Sequence, residues 1–171
     1  MKILLLGSSI IKHWKNFAMH EENVNMGKSG LVTSNLVSYL EKIPPINPEY
    51  IVFYCGGNDV VQNIDKNMIT NNIHLGIENI SKRFPKSIII VLSLLKSPSM
   101  KDKIAEIDYI NNKVRIYTKT LENVVCINVN RELSNPKYFQ KDGMHLNTIG
   151  YEKMNNKLYT FLYNNGKPKI I

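Results

Sequence analysis

Residues 2–14 read KILLLGSSIIKHW, an apolar run that stops at a glycine, passes two serines and enters a second apolar stretch. A run of Ile and Leu without alternation suits a strand covered on both faces. The glycine permits a tight turn, and IIKHW continues as a helical segment. Strand, turn and helix in direct succession is the unit from which layered α/β proteins are built. The pattern recurs. YIVFYC (50–55), SIIIVLSLL (87–95) and VVCINV (124–129) read as further strands, and NVN (23–25) as a short fifth one.

Helical stripes separate these runs. Val32, Leu36, Leu40 and Ile43 share one face, as do Ile69, Ile73, Ile77, Ile80 and Phe84. Ile104, Ile107, Ile110, Val114 and Leu121 form a third stripe, with Ser99-x-x-Asp102 as a capping box ahead of it. Met154, Leu158, Phe161 and Leu162 form the last. The stripes are core faces rather than cofactor boxes. The alternation predicts a three-layer α/β/α sandwich with a five-stranded parallel sheet, in one domain over 1–163, followed by a frayed tail over 164–171.

Composition narrows the class. The chain has 171 residues and is 43% hydrophobic, enough for one domain with a real core. Its longest apolar runs fall short of the roughly 20 residues that span a bilayer. MKILLLGSS is too short for a secretory leader, and HWKNFAMHEEN follows it without a small-residue cleavage site. Cys55 and Cys126 sit inside apolar runs with no CxxC spacing, so they read as core residues rather than a disulfide or a metal site. These features favour a cytoplasmic protein. Net charge is +8, but the lysines are scattered singly with no aromatic interleaving, which speaks against nucleic acid as a partner. The sequence leaves the oligomeric state open.

Parallel sheets bind ligands at the carboxyl ends of their strands. There the chain carries GSSII (7–11), NMGKSG (25–30), GGND (56–59), LKSPSM (95–100) and, later, DGMH (142–145). A P-loop fails on spacing: GKS at 27–29 needs a glycine at position 22, which is Glu22. GSSII is not a GxGxxG turn, and GSSIIKHW is poor in the hydroxyls of a flavin-phosphate cradle. Ser8 and Ser9 lie where a helix N-terminus favours developing negative charge, though a serine there is usually a cap. Asn58 offers amide N–H groups at a glycine-flanked turn, and Asp59 reads as structural. Asp142 and His145 set an acid and a base three positions apart.

In these blocks the chain resembles the SGNH hydrolases, also called the GDSL esterase/lipase family. Their Ser, Gly, Asn and His blocks match GSSI, NMGKSG, GGND and DGMH, in that order. The resemblance implies a flavodoxin-like SGNH fold. It implies Ser9 as nucleophile, with His145 and Asp142 completing a Ser–His–Asp triad. It implies an oxyanion hole from the Ser9 and Gly27 N–H groups and the Asn58 side chain. No metal or cofactor is called for. Ser8 replaces the usual GDS aspartate, a departure bearing on local support and substrate preference.

The short chain suggests a shallow pocket and a small acyl group such as acetyl, lined among Val60, Val61, Met100, Tyr138, Phe139 and Met144. The alcohol portion is unreadable: an O-acetylated carbohydrate, an alkyl ester and a lysophospholipid all remain open, and a thioester is possible. Lys28 and Ser29, beside Gly27, are further contact candidates. His13, His20 and His74 read as surface or partly buried residues, and Trp14 as packing. The alternative is a non-catalytic ligand-binding module on the same fold, which the intact Ser9, Asn58, Asp142 and His145 set argues against.

Overall fold

The structure is a computed structural model and describes residues 2–15, 17 and 23–165. His20 and residues 166–171 of the expected tail lie outside them. Five strands, β1 (Ile3–Gly7), β2 (Val24–Gly27), β3 (Tyr50–Tyr54), β4 (Ile88–Leu92) and β5 (Val124–Ile127), form one parallel sheet in the order β2-β1-β3-β4-β5. Every residue of β1 and β3 is buried, which explains their unbroken apolar sequences. β2 is an edge strand and only partly buried, so its apolar signal is weak.

The helices are α1 (Ser9–Lys12), α2 (Leu36–Leu40), α3 (Gly57–Val61), α4 (Lys66–Arg83), α5 (Ile104–Thr118) and α6 (Thr148–Asn165). Strand order reverses after β2. Right-handed crossovers therefore put α1 on one face and α2, α4 and α5 on the other, where α4 packs against both of its neighbours. α6 joins α1. Trp14 Nε1 donates to Asn155 Oδ1 at 2.7 Å, and Tyr151 O–H donates to the Ile10 carbonyl at 2.8 Å. Trp14 is thus packing, as expected, at 1% exposure.

Two helix starts differ from the expectation. Thr33–Asn35 forms a 3-10 turn ahead of α2, because Asp59 takes the Thr33 N–H and hydroxyl. Ser99 and Asp102 fall in a second 3-10 segment, Pro98–Lys103, broken by a non-helical Met100. Ser99 Oγ meets Ser97 Oγ at 3.4 Å instead of capping, and α5 begins only at Ile104. Leu121 lies past its end.

β1 and β3 close together at the reversal of strand order. Ser8 N–H donates to the Tyr54 carbonyl at 3.0 Å. Gly7 has φ +145°, and a Cβ there would stand 1.9 Å from the same oxygen. Gly7→Ala should therefore destabilise the protein by about 2–4 kcal/mol, through backbone strain and overpacking. The urea midpoint measures this, and an unchanged midpoint would contradict the packing described.

Candidate active site

Ser9 opens α1 at the carboxyl end of β1. Ser8 precedes it as the N-cap, in extended conformation, buried and making no side-chain cap. Among the described residues no hydrogen bond uses the Ser9 N–H. His145 approaches from the loop between β5 and α6. That loop is a narrow hairpin: Phe139 pairs with Leu146, Gln140 N–H donates to the His145 carbonyl at 2.7 Å, and Asn147 N–H donates to the Tyr138 carbonyl at 3.0 Å. Gly143 turns it with φ +66°, and its carbonyl accepts Ser99 N–H at 3.0 Å, tying the hairpin to the loop after β4.

The hairpin delivers a relay. His145 Nε2 lies 3.1 Å from Ser9 Oγ, and His145 Nδ1 lies 2.6 Å from Asp142 Oδ2. The second oxygen of Asp142 accepts the N–H groups of Met144 and His145 at 2.9 and 3.0 Å. The His145 hydrogen bond foremost, then these two N–H groups, hold the Asp142 carboxyl down at about 2, so it is anionic at neutral pH. A carboxylate only accepts. His145 must therefore carry its proton on Nδ1, leaving Nε2 bare to receive the Ser9 O–H. The ring of His13 meets His145 edge-on, with centroids 5.5 Å apart.

Asn58, in the first turn of α3, donates one Nδ2 hydrogen to the Leu31 carbonyl at 2.8 Å, which leaves the second N–H of that amide. The adjacent Asp59 is buried. It accepts the Thr33 N–H at 3.0 and 3.1 Å and the Thr33 hydroxyl at 2.6 Å. Burial pushes its carboxyl up, and the Thr33 bonds oppose that. Asp59 is thus structural, and with Asn58 it clamps the loop after β2.

Gly27 is placed differently from the expectation. Its N–H donates to Asn25 Oδ1 at 2.8 Å, and a Cβ on it would stand 2.1 Å from Lys12 N. Close packing on α1 explains the glycine, and its N–H is engaged. Three residues on, Gly30 sits at φ +72° in a turn closed by Leu31 N–H to the Lys28 carbonyl at 3.3 Å. Among the described residues no hydrogen bond uses the Gly30 N–H, and the space beside its Cα is open. The signal for it was present in GKSG, where a turn needs glycine at its third position.

Beside Ser9 lies a recess lined by Tyr54, Asn58, Leu95, Met100 and Met144. Its volume is about 10 Å³, room for about one water. Of the expected lining residues, Met100 and Met144 are here. Val60 belongs to the core, Val61 is exposed, and Phe139 is buried in the hairpin next to Tyr138. Lys28 and Ser29 are exposed on the Gly30 turn. His74 lies elsewhere, stacked on Tyr117 with ring centroids 4.0 Å apart.

Residues 12–153 match the GDSL-like lipase/acylhydrolase family. The chain belongs to that family. Ser9 lies just ahead of the matched span. No curated protein matches the chain. Among solved structures, a GDSL-like lipase from Bacteroides thetaiotaomicron superposes with a TM-score of 0.81 at 21% identity, covering 96% of this chain and 88% of that one. A carbohydrate esterase family 3 protein from Talaromyces cellulolyticus gives 0.74 at 16% identity, covering 96% and 97%. A mutant of an acetyl-xylooligosaccharide esterase from Geobacillus Stearmophilus gives 0.74 at 14%, covering 99% and 96%. These likenesses show that the GDSL-family sheet and its helices are shared. Among the described residues no helix is long and apolar enough to cross a membrane.

Proposed function

We propose that the protein is a serine esterase that removes small acyl groups, acetyl foremost, through Ser9, His145 and Asp142. The observation that carries this reading is the unbroken relay from Ser9 Oγ through the His145 ring to the Asp142 carboxylate. Ser9 Oγ attacks the ester carbonyl carbon while its proton passes to His145 Nε2. Asp142 keeps the ring oriented and stabilises the imidazolium that forms. The C–O bond to the alcohol then breaks, and His145 returns the proton to the departing oxygen. Water enters, loses a proton to the same nitrogen and attacks the acyl-enzyme, and the acid leaves as Ser9 Oγ recovers its hydrogen.

The tetrahedral oxyanion needs donors already aimed at it. Ser9 N–H and the second Nδ2 hydrogen of Asn58 supply two. Because the Gly27 N–H is held by Asn25, the third falls to Gly30. Asn58→Ala should lower kcat by about 10²–10³ with a much smaller change in KM. Equal losses in binding and turnover would argue against that role.

A recess with room for about one water supports a short acyl group. The carbohydrate and acetyl-xylooligosaccharide esterases among the structural neighbours make O-acetylated carbohydrates the first substrates to try. A fluorophosphonate probe followed by peptide mass mapping tests the reading directly. A single adduct on Ser9 is expected, and an unlabelled Ser9 would overturn the proposal.

A further inference from the structure

A second, larger cavity meets the relay through His13 and is distinct from the recess beside Ser9. A groove of about 390 Å³ opens between the end of α1, the hairpin and the start of α6, lined by His13, Lys15, Gln140, Asn147, Thr148 and Tyr151. Its volume is that of a small-molecule site, whereas the recess beside Ser9 has room for about one water. His13 joins the two, since its ring is both a wall of the groove and the edge-on neighbour of His145. The alcohol oxygen departs beside His145, so the larger space lies where an alcohol portion would go.

The groove also has a sign. Several of its polar walls are committed inward: Gln140 Nε2 donates to the Leu146 carbonyl, Asn147 Nδ2 to the Lys137 and Phe139 carbonyls, and Tyr151 O–H to the Ile10 carbonyl. The Lys15 ammonium, the His13 imidazole and the Thr148 hydroxyl remain for a ligand. Among the described residues no aspartate or glutamate lines it. Burial, then His145, Lys12 and Lys15 act against a proton on His13, so the ring offers a hydrogen bond while Lys15 supplies the charge.

We infer that this groove is the alcohol-side subsite and that it selects acetyl esters whose alcohol portion carries an anionic group, a carboxylate or a phosphate. The inference rests on the esterase reading of Ser9 and His145. It is tested by comparing kcat/KM for 4-acetoxybenzoate with that for its neutral methyl ester, each divided by its hydroxide-catalysed rate. The normalised ratio should favour the anion, and Lys15→Glu should lower it about fivefold, the upper end for an exposed charge contact. Lys86→Glu makes the same charge change on an exposed residue just before β4, at the amino ends of the strands and so away from the site, and should leave the ratio unchanged. Added salt should also erode the wild-type preference. No preference for the anion, or equal effects of the two substitutions, would overturn the inference and leave the esterase reading standing. If instead Ser9→Ala hydrolyses the neutral ester as fast as wild type, the esterase reading fails and the subsite with it.

Discussion

Replacing Ser9 with alanine is expected to lower kcat on p-nitrophenyl acetate by about 10⁴–10⁶. The change deletes one oxygen at the mouth of a recess, on a residue that is only half-buried, so stability should barely move. The loss is large because the acyl-enzyme route disappears with the nucleophile and the remaining donors can only polarise the ester. The same variant separates an enzyme from a ligand-binding module. A protein that binds without turning over would show equal, background hydrolysis before and after the substitution, while its affinity for esters would persist.

The second large effect is expected from Asp142→Asn, about 10⁴ in kcat. The amide is nearly isosteric, but it brings N–H donors to a place where His145 Nδ1 already donates. The ring can answer by moving its proton to Nε2, the tautomer that cannot accept from Ser9. Substrate binding should change little, so the fall appears in kcat. The acid side of the pH profile adds a check. The folded Asp142 carboxyl lies at about 2, below the ordinary value of 3.8. A depressed carboxyl contributes fully above its ordinary value and loses that contribution as pH falls toward the folded one. Activity lost above about pH 4 is therefore not owed to Asp142, and a wild-type profile whose acid limb reflects this carboxyl at pH 5 would contradict the geometry.

Much of this was legible in the residues. The buried central strands announce themselves because both faces are covered and no polar residue is tolerated, as in Tyr50–Tyr54. The edge strand β2 was visible only as a short NVN, since solvent on one side permits asparagines. The order of the Ser, Asn and His blocks pointed to a candidate site above the carboxyl ends of the strands, because those ends meet in a parallel sheet. What local sequence could not show was how polar groups are spent. NMGKSG marks Gly30 as a turn glycine, but nothing in it says that the Asn25 side chain takes the Gly27 N–H. Nothing in SPSMKD says that Pro98 and Met100 hold a 3-10 turn where a capping box is spelled. His13 and His145 are far apart in the chain, and only the docking of α6 on α1 brings their rings together.

That docking has a temporal side. Ser9 opens α1 and His145 lies just ahead of α6, and Trp14 with Asn155 and Ile10 with Tyr151 are the bolts between the two helices. While the ribosome is still threading out the middle of the chain, Ser9 is present without His145 beside it. It acquires its partner only when the final helix is made and seats itself. The proposed relay therefore forms late in the chain's synthesis, and a chain ending before His145 lacks it.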